Sequence, residues 1–151
     1  MIAENEAYSR LARQCSMGEQ CIYDARKKMQ RWEIEDDAQQ RIVKRLLEER
    51  FIDENRYAHA FVRDKSRYNR WGSTKIKFEL KRRGISERDI EDALCEIDEE
   101  ESLSTLRDLL ESKRRTVKGR SEYEIKAKLV RFAVSRGFSI QDAMRVVGME
   151  D

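Results

Sequence analysis

Apolar residues recur along this chain at intervals of three and four: Ile22, Ala25, Met29 and Trp32; Ile42, Val43 and Leu46; Tyr57, Ala58, Phe61 and Val62; Ile76 and Leu80; Ile90, Ala93, Leu94 and Ile97; Leu103, Leu106 and Leu110. That spacing lines one face of an α-helix, and it predicts about nine helices, most of ten to eighteen residues. With no proline and only six glycines, nothing in the composition interrupts them. The punctuation is helical too. Ser16 with Glu19, Ser86 with Asp89, Ser121 with Glu124 and Ser139 with Asp142 read as capping boxes. Gly84 and Gly137 stand where a left-handed residue ends a helix just before the next cap.

The pattern repeats. Shifting residues 76–94 forward by 53 lays Ile76 on Leu129, Leu80 on Ala133 and Gly84-Ile85-Ser86 on Gly137-Phe138-Ser139. Shifting them back by 51 lays Ile76 on Ala25, Leu80 on Met29 and Ile85 on Ile34, with Glu33 at the glycine position and Gln39 at an apolar one. A period near fifty with three helices per copy predicts an all-α, elongated, curved array of three tandem three-helix repeats, in which neighbours bury what one short unit cannot. The expected divisions are 1–52, a degenerate first copy; 53–98; and 99–151. An array whose repeats touch only their neighbours is expected to be a monomer.

Composition changes this picture little. Hydrophobic residues make up 39% and charged residues 41% of the 151 positions, which suits a folded chain with thin cores. Cys15, Cys21 and Cys95 form no C-x-x-C pair, a pattern that fits reduced thiols and a cytoplasmic setting. Glu4, Glu6 and Arg10 interrupt any apolar leader, and no apolar run has the length of a membrane span, so no membrane association is expected.

Charge changes it more, because the net value of +2 hides segregation of sign. Between Arg63 and Arg83 nine cations (Arg63, Lys65, Arg67, Arg70, Lys75, Lys77, Lys81, Arg82 and Arg83) face two anions, Asp64 and Glu79. Residues 87–101 then carry nine acids against Arg88, and from Lys113 to Arg131 eight bases (among them Arg114, Arg115, Lys118, Lys126 and Lys128) face Glu122 and Glu124. Local fields of this kind are what a partner feels at short range. Arg56, His59, Arg63, Arg67 and Arg70 form one stripe if a single helix runs through them, and the stripe points to phosphate or an acidic protein surface. Phe78 lies about 200° around its helix from Ile76, where it either packs on an adjacent repeat or meets a base or partner. Trp71, beside Gly72, reads as an anchor at a repeat junction. The segment 122–136 is apolar on two sides, and Tyr123, Ala127, Val130 and Val134 of the second side either make an extra contact within the last repeat or form an exposed strip.

Enzymatic readings have little to rest on: there is one histidine, no phosphate-loop signature, and no nucleophile or acid set assembled around His59. Neither a cofactor nor a metal site is expected. The acids at Glu91-Asp92 and Glu99-Glu100-Glu101 read as solvated faces.

Three stretches, "FIDENRYAHAFVRDKSR" (51–67), "RWGSTKIKFELKRRGIS" (70–86) and "YEIKAKLVRFAVSRGFS" (123–139), resemble the RecX family, bacterial modulators of the RecA recombinase. The most specific part is the run Asp53, Arg56, Tyr57, Ala58, Phe61, followed by Trp71-Gly72, Ile76, Glu79-Leu80 and Gly84-Ile85-Ser86. The resemblance covers most of the chain from Tyr8 onward. It implies a non-enzymatic protein that binds the RecA filament on single-stranded DNA and restrains its ATPase and strand-exchange activity in recombination and repair. The expected contact residues are Arg56, Arg63, Arg67, Arg70, Trp71, Lys75, Lys77, Phe78, Lys81, Arg82 and Arg83 of the second repeat, with Lys113, Arg114, Arg115, Lys118, Lys126, Lys128 and Arg131 of the third. An independent DNA-binding helical regulator and a helical protein adaptor are the alternative readings.

Overall fold

Nine helices follow one another in the computed structural model, which describes residues 2–149: α1 (Glu4–Met17), α2 (Ile22–Arg31), α3 (Asp36–Glu48), α4 (Glu54–Arg67), α5 (Ser73–Arg82), α6 (Glu87–Leu94), α7 (Glu99–Arg114), α8 (Glu122–Ser135) and α9 (Ile140–Val147). No strand occurs among the described residues. The outermost positions of the expected first and third repeats, 1 and 150–151, lie outside them.

Helical spacing buries its residues in three separate cores, because each short helix has only one apolar face to offer. Leu11, Met29, Ile42 and Leu46 fill the first, from α1 to α3. Tyr57, Ile76, Leu80 and Ile90 fill the second, from α4 to α6, and Leu106, Leu110, Leu129 and Ala143 the third, from α7 to α9. The broad helix-on-helix packing stays inside each trio. Cys21, fully buried just before α2, joins the second core, and so does Tyr23, so the first trio is pinned to the second by its own α1–α2 connection. Burial pushes the Cys21 thiol up to about 11, which makes it a packing residue and not a nucleophile.

A chain built of three small cores exposes more surface than one large core. The accessible area is 9837 Å², whereas a compact monomer of this mass exposes roughly 8,000 Å². Small-angle scattering is accordingly expected to give a radius of gyration well above the roughly 15 Å of a compact chain of this length. A value at about 15 Å for the monomer contradicts the array.

Three of the four expected serines cap their helices. The side-chain oxygens of Ser86, Ser121 and Ser139 accept from the N–H groups of Asp89, Glu124 and Asp142 at 3.2, 3.1 and 3.0 Å. Ser16 does not cap a helix: it lies inside α1, donates to the Arg13 carbonyl, and leaves Cys21 as the N-terminal flank of α2. Asp53 and Asp98 cap α4 and α7 instead. The degenerate first repeat keeps the turn that its sequence lacks the glycine for. Glu33 takes φ 59°, the region that Gly84 occupies at 73° and Gly137 at 97°. Gln39, standing at an apolar position, is buried and donates to the Ile34 carbonyl at 2.8 Å, so its amide carries a partner into the core with it.

Candidate functional site

The cations of α4 do not form one free stripe. The helix ends at Arg67, and Arg70 sits in a turn at φ 55°, off the line of the others. Arg56 donates from Nε to Glu19 at 2.6 Å and from Nη2 to the carbonyls of Arg50 and Phe51, so it ties the first trio to the second. Each ring nitrogen of His59 lies 3.2 Å from a carboxylate oxygen, Asp92 on one side and Glu96 on the other. Arg63 also pairs with Glu96, at 3.2 Å. The acidic surface that this part of the stripe meets is α6 of the same trio and the residues after it.

Neutralisation continues on α5. Lys77 reaches Glu91 at 3.2 Å and Glu87 at 3.7 Å, and Lys81 reaches Glu87 at 3.9 Å. Arg82 and Arg83 both pair with Glu79. Much of the acidic segment 87–101 is therefore matched by cations of its own repeat, which leaves chiefly the acids at the start of α7 to repel phosphate. Among the described residues Lys75 has no carboxylate partner, and it lies 4.5 Å from the centre of the Trp71 ring. Phe78 does not pack on a neighbouring repeat: it is 63% exposed.

In the third trio Arg114 pairs with Glu122. Lys128 donates to the Lys118 carbonyl at 2.6 Å and pairs with Glu124, and Lys113 lies over the Phe132 ring. Arg115, Lys118, Lys126 and Arg131 have no carboxylate partner among the described residues, and neither do Arg67 and Arg70 of the second trio. The second apolar side of α8 divides: Val130 is buried, whereas Tyr123 is 71% exposed and Val134 is exposed beside Ile140.

These groups meet where the second and third trios join. Gly72 and Thr74 donate their N–H groups to the carbonyls of Arg136 and Gly137 at 2.8 and 3.0 Å. Trp71 stands beside this seam, edge-on to Phe61, and faces a cleft of about 250 Å³ lined also by Arg63, Arg67, Thr105 and Phe138. Arg70 and Arg115, 45 positions apart, line one shallow depression with Asp108 and Glu111. The unpaired Arg67 thus lies with Trp71 in one cleft, and the unpaired Arg70 and Arg115, from two repeats, share the other depression with Asp108 and Glu111. Charge counting along the sequence could not separate these from the paired ones, because pairing follows the α4–α6 and α5–α6 packing. Sequence reasoning also passed over Arg26, Lys27 and Arg31 of α2, although the 51-residue shift aligns Arg26 with Lys77 and Arg31 with Arg82.

Among the described residues no set of three or more His, Cys, Asp or Glu side chains is placed to hold a metal ion, and no helix is long and apolar enough to cross a membrane. The arrangement offers charge and exposed apolar groups for binding.

Two family models match the chain: RecX, second three-helix domain, over residues 53–94, and RecX, third three-helix domain, over 99–147. The regulatory protein RecX of Leuconostoc mesenteroides is 31% identical over 126 residues, covering 83% of this chain and 47% of that protein. The regulatory protein RecX of Clostridium beijerinckii is 28% identical over 126 residues, covering 82% of this chain and 58% of that protein. The chain thus spans about half the length of these relatives. Among solved structures, a crystal structure of a regulatory protein RecX superposes with a TM-score of 0.86 at 25% identity, over 97% of this chain and 73% of the other. The fold is shared as well with RecX from Lactobacillus salivarius, at a TM-score of 0.77 and 20% identity over 96% of this chain and 94% of that one. Two matched domains, the curated relatives and the tandem helical architecture agree: the chain belongs to the RecX family of regulatory proteins.

Proposed function

We propose that this protein is a non-enzymatic cytoplasmic regulator of recombination and repair that binds the RecA filament on single-stranded DNA as a monomer and lowers its ATPase and strand-exchange activity. The observation that carries the reading is the mixed surface at the seam between the second and third trios. Arg67, Arg70 and Arg115 there have no carboxylate partner among the described residues, and the neighbouring helices expose Phe78, Tyr123 and Val134. A nucleoprotein presents both phosphates and apolar protein grooves, and it rewards a surface with both kinds of group. Cations steer the encounter and shape sets the register.

The test is RecA ATP turnover on single-stranded DNA, with this protein added below one equivalent. Turnover is expected to fall, and the variant R67Q/R70Q/R115Q is expected to weaken the inhibition at least tenfold with its helical circular dichroism unchanged, because exposed, unpaired charges add little to stability. Lys77 and Lys81 are poor choices for such neutralisation, since it would strip Glu87 and Glu91 of their lysine partners. Unchanged turnover, combined with protection of a defined duplex site, would support a duplex-binding regulator instead.

A further inference from the structure

The middle helices meet end to end at two junctions: α5 starts where α8 ends, and α2 starts beside the end of α5. The amides at the start of a helix point back along its axis and the carbonyls at its end point forward, so direct bonds between them set one helix end against the other. That is the bonding at the seam, where Gly72 and Thr74 at the start of α5 donate to Arg136 and Gly137 at the end of α8. At the next junction Cys21, flanking the start of α2, lies in one core with Leu80 and Ile85 at the end of α5. Arg83, which closes α5, has Asp24 in the first turn of α2 as a charge neighbour. The order is α8, α5, α2. Helices of 14, 10 and 10 residues laid end to end span about 50 Å at 1.5 Å per residue.

The outward side of this ridge repeats as its core does. Two residues beyond buried Ala25, Ile76 and Leu129 stand Lys27, Phe78 and Arg131, and all three are exposed. Beside them Arg26, Arg31 and Lys75 have no carboxylate partner among the described residues. The acids of the same helices are largely occupied: Glu79 by Arg82 and Arg83, Glu122 by Arg114, Glu124 by Lys128. Cations two repeats apart, with an exposed ring at the equivalent position between them, match a strand that offers phosphates at intervals and flat bases between them.

We infer that the α8–α5–α2 ridge is a track for single-stranded nucleic acid, that the first repeat belongs to it through Lys27 and Arg31, and that Phe78 stacks on a base near its middle. The inference deepens the filament reading by naming the strand as what the basic ridge touches, and it enlists a repeat that the reading leaves idle. An acidic protein surface would find the same cations, but an isolated flat ring between cations is the better fit to a base stacked between phosphates.

Fluorescence anisotropy with labelled oligothymidine, on the protein alone and without recombinase, tests it. Binding is weak and is expected to tighten with length up to about 15 nucleotides at the roughly 3.4 Å per-strand spacing, or fewer if the strand is extended, and to rise only statistically beyond. With five ridge cations engaged, the slope of log K against log salt is about −3.5, and K27Q/R31Q is expected to bring it to about −2. F78A is expected to weaken binding about tenfold and leave the slope alone. Both variants alter exposed side chains, and circular dichroism confirms their fold. An unchanged slope in K27Q/R31Q overturns the role of the first repeat. Unchanged affinity in F78A, or binding of polyglutamate as tight as that of oligothymidine, overturns the nucleic-acid track. If these results hold and RecA turnover is unaffected, the filament reading fails and the ridge stands; the reverse outcome removes the ridge alone.

Discussion

Replacing Gly72 by alanine is expected to separate the second and third trios without unfolding either. The backbone of Gly72 is extended, at φ −81° and ψ 168°, so alanine meets no conformational penalty of its own. The penalty comes from contact. A Cβ at this position would lie 2.3 Å from the carbonyl oxygen of Gly137 and 2.6 Å from the amide nitrogen of Phe138, both backbone atoms that cannot swing aside. The seam must open, and the two hydrogen bonds from Gly72 and Thr74 go with it. Leaving such groups unpaired costs about 1–3 kcal/mol each where water cannot replace the lost partner, so a loss of about 2–4 kcal/mol is expected from G72A.

Three other glycines calibrate that figure. Gly137 combines both penalties, because its φ of 97° disfavours any side chain and a Cβ there would lie 2.4 Å from Lys75 Cβ. G137A is expected to cost at least as much as G72A, and the double variant little more than either, since both open one seam. Gly84 has φ 73° with nothing within 4 Å, so G84A carries only the left-handed term of about 1–2 kcal/mol. Gly18 has neither strain nor neighbour, and G18A is expected to be nearly neutral. Denaturant unfolding gives the ranking, and scattering gives the geometry: G72A is expected to raise the radius of gyration while circular dichroism keeps its helical signal. A G72A no less stable than G18A removes the seam from the account.

Helix existence was legible because each helix carries its own apolar face, and the repeat was legible because the core positions recur at Ala25, Ile76 and Leu129. Local rules were enough for Ser86, Ser121 and Ser139. They failed at Ser16, where an equally good cap signal lies within a helix that continues past it. The surface was less legible for a physical reason. Whether a cation is free depends on which acids another helix brings beside it, and nothing local distinguishes Arg63, bound to Glu96, from Arg67 one turn later, which has no carboxylate partner among the described residues. Phe78 follows the same logic: angular position separates it from Ile76, but only the packing shows that no neighbouring repeat reaches it.

Stability is expected to fall as pH rises from about 4.5 to about 8, and Glu54→Gln is expected to abolish most of that fall. Glu54 opens α4 at the junction of the first two trios, with one carboxylate oxygen buried and unpartnered. Burial pushes its pKa up to about 7; the Ile22 backbone hydrogen bond opposes this, and the charges of Asp89, Asp24 and Asp53 add to it. The ordinary glutamate value is 4.5, so between about 4.5 and 7 the folded chain holds a proton that the unfolded chain releases. Stability is lost across that window, and above it the cost is constant. Partial solvent access discounts it to about 1–3 kcal/mol at about pH 8. The amide introduced by this substitution would carry no charge and would keep an oxygen for the Ile22 N–H. His59 adds a change of the same sign. Partial burial disfavours its charged ring, but the hydrogen bonds to Asp92 and Glu96 prevail and hold its pKa above the ordinary histidine value. Its contribution is full below the unfolded value and is lost as pH rises through the folded one. Chemical unfolding of wild type, E54Q and E54Q/H59Q across this range separates the two groups: E54Q is expected to gain about 1–3 kcal/mol over wild type at about pH 8 and nothing at about pH 4.5, and the double variant is expected to be flatter still. An E54Q less stable than wild type at the alkaline end would mean that the charge of Glu54, at the start of α4, is worth more to that helix than its burial costs.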